Sequence, residues 1–208
     1  MRQLPIIPTA IVAAAVATMI ALGIWQLQRG EERDRLKQAM VERPTQPVLD
    51  YPFGDAGDER YLFRRLRASC DQVTAVDVAG GKDAVGRTGW RQIATCVDRA
   101  SGASFQAQIG VAERPNAVID WDGGVVEGLA AQAPDERGVL ERLSFRPSNR
   151  AAMIVASEPK AGLRPSRLPD PAEYDNTSWA YAGQWFFFAL TALVIYGFAL
   201  RRRWRERE

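Results

Sequence analysis

With 208 residues and a formal net charge of +2, the chain leaves room for one soluble domain of modest size beside two long apolar stretches. The basic excess gathers at one end, in Arg201, Arg202, Arg203, Arg205 and Arg207, which argues against a nucleic-acid partner and fits an anchor at a membrane side. Histidine is absent, which removes the commonest general base and the commonest metal and haem ligand.

Residues 1–28 read as the first transmembrane helix. From Gln3 to Gln28 there is no charge, ample for the roughly 20 residues that a spanning helix requires. The run is too long for a signal-peptide core and ends in the bulky Trp25-Gln26-Leu27 instead of small residues at a cleavage site, so an uncleaved anchor is expected. No Arg- and Ser-rich presequence precedes it, which favours a bacterial inner-membrane protein. Residues 29–43 are charged and helix-compatible, with Leu36 and Met40 as the large apolar pair, and predict a juxtamembrane extension of that helix. Pro44, Pro47 and Pro52 then break it.

Residues 44–158 are expected to form a β domain, because from Arg60 onward the apolar period is two. Leu62, Leu66, Ala68 and Cys70 share a parity, Gly80-Gly81 ends the next run, Trp90, Ala94 and Cys96 recur, and Phe105, Ala107, Ile109 and Val111 alternate with polar or small residues. Asp98 to Ser104 should close a hairpin, and Asp122-Gly123-Gly124 should turn Ala117–Trp121 back onto Val125–Leu129. Ala151 to Ser157 reads as one more strand, and Val139 to Phe145 as strand or helical turn. Short strands with glycine-containing turns predict a compact antiparallel sheet or barrel, with Trp90 and Trp121 as core aromatics. Cys70 and Cys96 have two readings: a disulfide in an oxidising compartment, made feasible by their similar strand parity, or two buried free thiols.

Residues 159–175, with prolines at 159, 165, 169 and 171, read as an extended linker. Residues 176–200 form the second transmembrane helix and 201–208 a basic tail. The arginines after Leu200 place that tail in the cytoplasm, and two spans then put both termini there and the β domain in the periplasm. Arg29, Arg33, Arg35 and Lys37 argue the other way, but the loop they begin is longer than the roughly 60 residues over which basic residues set orientation. The fold class is therefore an α+β membrane protein, with N- and C-terminal helices flanking a periplasmic antiparallel or barrel-like domain.

No catalytic constellation is present: no histidine for a triad, no glycine-rich nucleotide loop, no Cys-x-x-Cys. The carboxylate pairs Glu31-Glu32 and Asp135-Glu136 sit in charge-rich, solvated segments, so the chain is not expected to be an enzyme. Informative residues lie where the end of the first span meets the start of the second. Trp25, Trp179, Tyr181 and Trp185 have the composition of an interfacial aromatic belt. Gln26 and Gln184 fit that less well, because an unpaired amide near hydrocarbon costs about 1–3 kcal/mol and asks for a helix–helix or ligand hydrogen bond. On α-helical geometry Ser178, Tyr181, Ala182, Trp185, Ala189, Ala192 and Tyr196 share one stripe.

Leu22-Gly23-Ile24-Trp25-Gln26-Leu27-Gln28-Arg29 resembles the signature Leu-Gly-x-Trp-Gln-x-x-Arg of the surfeit-locus-one family of cytochrome c oxidase assembly factors. Asn176 to Trp185 resembles that family's Asn-Asn-His-x-x-Tyr-Ala-x-x-Trp, with Thr177 in place of the second asparagine and Ser178 in the histidine position. The resemblance implies a non-catalytic assembly factor that assists haem a delivery to, or retention in, the large oxidase subunit. It implies as partners that subunit, proteins of the haem a pathway and the lipid bilayer. Some bacterial members are thought to bind haem a through the histidine that is serine here, and serine is not an ordinary axial ligand. Any haem a contact is therefore expected through aromatic packing or between Arg29 and a propionate, without histidine ligation. The interface or haem-contact candidates are Gly23, Trp25, Gln26, Arg29, Asn176, Ser178, Tyr181, Gln184 and Trp185. The alternative function is a membrane-anchored binding or sensing module acting through its β domain.

Overall fold

A computed structural model describes residues 5–135 and 150–206; the expected element at Val139 to Phe145 lies outside the described residues. The chain separates into a helical unit, residues 1–38 with 172–208, and a β unit, residues 39–171.

The helical unit is built on α1 (Ile6–Glu42) and α2 (Ser178–Arg205). Both are long and apolar enough to cross a membrane. α1 continues unbroken through the charged residues after Arg29, and at 1.5 Å per residue it is about 56 Å long, well beyond the roughly 30 Å of a hydrocarbon core. It stops where Pro44 enters a single 3₁₀ turn at Arg43–Thr45, since proline cannot supply the next helical N–H. The two helices pack along small residues. The buried positions of α1 are Val16, Gly23 and Gly30, each seven apart, and those of α2 are Ser178, Ala182 and Ala189. A seven-residue spacing keeps one narrow line facing a partner helix, and glycine, alanine and serine on that line let the backbones approach closely. Near the other end, the hydroxyls of Thr9 and Tyr196 share a hydrogen bond across the pair.

The β unit contains, in chain order, β1 (Leu49–Asp50), β2 (Arg65–Cys70), β3 (Gln72–Lys82), β4 (Thr88–Val97), β5 (Ser104–Ala112), β6 (Gly124–Gln132) and β7 (Ala152–Ala156). They form one seven-stranded sheet in the order β1-β2-β6-β7-β5-β4-β3. The sheet is mixed, which corrects the antiparallel expectation: β1 runs parallel to β2, and β7 parallel to β5. A period of two assigns side chains to faces and says nothing of which strand lies beside which. Here β7 returns antiparallel to β6 and slots between it and β5. The Ala117–Trp121 strand is likewise corrected. Residues 113–123 hold no strand, Val118 is almost fully exposed, and β6 pairs with β2 and β7. The β4–β5 hairpin forms as read, its turn closed by the Asp98 carboxylate, which accepts from Ala100 N–H at 2.8 Å, and by Gly102 at φ 69°.

β2 and β3 are one extended run interrupted at Asp71. Before it the chain pairs with β6, after it with β4, and Asp71 itself donates its N–H to the Val97 carbonyl at 3.0 Å. The sheet must therefore curl, bringing β2 and β4 face to face, and Cys70 and Cys96 join them by a disulfide with a Cα–Cα separation of 5.0 Å. The main core fills the inside of this curl with Leu66 and Ala68 from β2, Ala94 from β4, Phe105, Ala107 and Ile109 from β5, Val126 and Ala130 from β6, and Ala152 and Ile154 from β7. Tyr51 stacks against Phe53 and Phe105 and donates its hydroxyl to Ala152 O at 2.6 Å; burial pushes that hydroxyl's pKa up to about 12. Ile93, Met153 and Val155 make a smaller cluster on the opposite face. All five β7 residues are thus buried, as a central strand covered on both sides requires. Trp90 is exposed, not a core aromatic, whereas Trp121 packs partly buried against the main core. Gly80 and Gly81 lie inside β3 and do not end it.

After a turn at Lys160 to Leu163, closed by Leu163 N–H on Lys160 O, residues 164–170 run along this unit without a helix, which corrects the expectation of a wholly extended linker. Val111 and Arg164 exchange backbone hydrogen bonds at 2.9 and 3.0 Å, and Ala84 N–H donates to Pro165 O. The buried carboxylate of Asp83 fixes the crossing: it accepts from Arg164 Nη1 at 3.0 Å, Arg87 Nε at 2.8 Å and the N–H groups of Val85 and Arg87. Burial pushes its pKa up, but the donors outweigh burial and hold it below the ordinary value, so the carboxylate stays ionised.

Candidate functional site in the paired helices

Along α1 the residues Gly23, Gly30 and Asp34 fall on one face, since steps of seven and four residues return nearly to the same angle. Against this face α2 lays its first turns. A Cβ on Gly23 would sit 2.8 Å from the Phe186 ring, and one on Gly30 would sit 3.0 Å from the Trp179 indole. Each glycine thus makes room for one aromatic ring.

The polar end is a connected node. Asn176 donates through Nδ2 to Gly30 O at 2.9 Å and to Asp34 Oδ1 at 2.7 Å, while its own Oδ1 accepts from Ser178 N–H at 3.3 Å. Trp179 Nε1 donates to the other carboxylate oxygen, Asp34 Oδ2, at 2.9 Å. Arg33 donates to Asp175 O at 3.2 Å and lies 5.8 Å from the Tyr174 ring centroid. The hydrogen bonds from Asn176 and then Trp179 hold the Asp34 carboxyl below its ordinary pKa, against a smaller opposing effect of desolvation, and Lys37 adds to the lowering. One asparagine therefore both shapes the start of α2 and ties it to α1.

The sequence-derived candidates divide into two sets. Gly23, Asn176 and Ser178 lie in the seam between the helices, and Ser178 is buried there. Gln26 and Trp185 are half-buried, with Trp185 edge-on to Phe188 at 6.3 Å. Trp25 and Tyr181 face outward, 55% and 51% exposed. Gln184 is also exposed, and Arg29 pairs with Glu32 at 3.0 Å on its own helix. The exposed aromatics of the pair include Trp25 on α1 and Trp179, Tyr181, Phe187 and Phe188 on α2. Asp34, Gly30 and Arg33 were absent from the candidates, and Trp179 appeared there only as a belt residue. Their signal was helical: Asp34 stands four residues beyond Gly30 on the Gly23 face, a position hidden inside a run of charges.

The pair thus combines a closed, glycine-lined seam that fixes two helices with aromatic side chains left exposed outside it. No curated protein matches the chain. A family model described as the SURF1 family matches residues 13–190, a span running from within α1 to within α2 and including the whole sheet. Since that match covers most of the chain, the protein belongs to the SURF1 family, the cytochrome c oxidase assembly family.

Proposed function

We propose that this protein is a non-catalytic assembly factor that assists haem a delivery to, or retention in, the large subunit of cytochrome c oxidase. In this reading α1 and α2 span the bacterial inner membrane, the β unit lies in the periplasm and both ends of the chain are cytoplasmic. Arg201, Arg202, Arg203 and Arg205, directly after the apolar part of α2, support that orientation. The large subunit and proteins of the haem a pathway are the proposed partners.

In this reading axial ligation of haem iron is not assigned to this chain. The chain has no histidine, and Ser178 is buried in the helix seam. Cys70 and Cys96 are consumed by their disulfide, and Met153 is buried within the sheet. Of the other side chains able to ligate iron, Tyr181 is exposed on α2 and Met19 lies on α1, and the proposal rests on the holding of a partner rather than on iron ligation. The observation that carries the proposal is the outward placement of Trp25 and Tyr181 from the two family motifs, on a pair whose other motif residues Gly23 and Asn176 form the seam.

The test is deletion of the gene, with haem a absorbance and oxidase activity recorded in membranes. Loss of both, restored by the wild-type chain and not by a chain carrying Trp25→Leu and Tyr181→Leu, is the expected result. Unchanged oxidase assembly in the deletion strain overturns the proposal.

A further inference from the structure

The two edges of the sheet are unlike. The β1 edge is two residues long, too short to template another strand. The β3 edge is eleven residues long, pairs with β4 on one side, and has no strand on its other side among the described residues. Its irregularity, a register shift between Val73 and Ala75, is confined to the start, and at the other end the Arg91 side chain crosses Gly81 and donates through Nε to Gly80 O at 3.2 Å, so the open part of the ladder runs from Ala75 to Ala79. There is no proline in this strand, and its charges are Asp77 and Lys82. In an antiparallel ladder, alternate residues of an edge strand aim N–H and C=O away from the sheet. Only another extended polypeptide presents donors and acceptors at the matching repeat.

The side chains restrict what that polypeptide carries. Val76 stands opposite Ala94 and Val78 opposite Gln92, on the face of the main core, and both valines remain exposed, at 37% and 43%. Asp77 stands opposite Ile93 on the other face and is exposed. A strand added here places apolar side chains beside the two valines and a residue beside Asp77, where lysine or arginine is favoured. A second copy of the same chain satisfies this poorly. The antiparallel register that sets Val76 of one copy against Val78 of the other also sets Asp77 against Asp77, and like charges directly opposite destabilise a pair.

We propose that the edge of β3 from Ala75 to Ala79, which no strand covers among the described residues, is a docking site for an extended segment of another protein, added as a further strand with apolar residues beside Val76 and Val78 and a basic residue beside Asp77. Main-chain hydrogen bonds supply the attachment, and the valine–aspartate pattern supplies register and charge selection.

The experiment is amide hydrogen exchange on the full-length chain in detergent, alone and with a short peptide of alternating valine and lysine. A parallel run uses alternating valine and glutamate. The expected result is slowing of amides within Ala75 to Ala79 by about tenfold or more with the lysine peptide alone, exchange in β5 being unchanged. Asp77→Lys should reverse the preference between the two peptides. Equal slowing by both peptides, or by neither, overturns the proposal. It is also overturned if the outward amides are already protected in the free monomer, or become protected as protein concentration rises and a dimer forms.

Discussion

Trp179 and Asp34 are joined across the two helices by an indole N–H that donates to a carboxylate oxygen at 2.9 Å, while Asn176 holds the other oxygen of the same carboxylate. Both oxygens of this α1 carboxylate are engaged at the start of α2, one by Trp179 on the helix and one by Asn176 just before it. Registration of the two helices near the polar end thus converges on one charged group.

Replacing Asp34 by alanine is expected to release the Trp179 indole. The measurement is the exchange rate and chemical shift of the Trp179 indole proton in isotope-labelled protein, with the other tryptophans as internal controls. Because the folded Asp34 pKa lies below the ordinary 3.8, its contribution is fully present above that value and is lost as pH falls through the lower folded value. The indole signal should therefore stay fixed from neutrality down to the ordinary carboxylate range and broaden only in stronger acid. Broadening that begins near neutral pH would contradict the assignment.

Gly23 and Gly30 predict different tolerances. Gly23→Leu drives a branched side chain into the Phe186 ring, and overpacking of this kind costs about 1–3 kcal/mol. Gly30→Ala adds one methyl that the Trp179 ring accommodates by a small shift, so its effect should be weaker. Paired cysteines on facing positions of α1 and α2, scored by disulfide yield in membranes, should show a large loss for Gly23→Leu and a modest one for Gly30→Ala. Wild-type yields in both variants would mean that the seam does not depend on these glycines.

Much of the helical unit is legible in the sequence because a long run without charge has few alternatives. Gly23 and Asn176 stand out by their motifs, but Asp34 does not. A carboxylate among Glu31, Glu32, Arg33 and Arg35 reads as solvated surface, and its partners lie more than a hundred residues away. In the β unit, Leu66, Ala68, Phe105, Ala107 and Ile109 show their burial by alternation. The parallel placement of β7 beside β5 leaves no such trace, since five consecutive apolar residues establish that a strand is central without naming its neighbours. Trp90 misleads for a related reason. It shares the parity of Ala94 and Cys96, but its cross-strand neighbours are Gly80 on β3 and Ala112 on β5, which offer little side chain to cover it, and Trp90 remains exposed.

The disulfide between Cys70 and Cys96 closes a loop with a sequence separation of 26 residues. Constraint of an unfolded loop of that size contributes about 3.5 kcal/mol on the chain-entropy account. The urea midpoint of the full-length chain should fall on reduction, and the double variant Cys70→Ser with Cys96→Ser should match the reduced wild type. A midpoint indifferent to reductant would exclude a stabilising role.

Asp83 anchors the segment from Pro159 to Pro171 to the β unit through Arg164, and the anchoring has a defined pH signature. Asp83 is buried, yet the N–H groups and guanidinium of Arg87, with the N–H of Val85, keep it ionised with a lowered pKa, and Arg164 Nη1 adds a further contact. A lowered folded pKa means that the stabilisation is complete above the ordinary carboxylate value and disappears as pH falls through the folded one. Protection of the Arg164 amide, which donates to Val111 O at 3.0 Å, should accordingly be flat between neutral and mildly acidic pH and collapse only in stronger acid. Asp83→Asn should weaken that protection at neutral pH and remove the acid step, because asparagine cannot balance the half-buried charge of Arg164 and does not titrate. Amides in β6 and β7, remote from this crossing, should exchange as in the wild type. If they opened together with Arg164, Asp83 would be supporting the sheet as a whole and not the strap that crosses it.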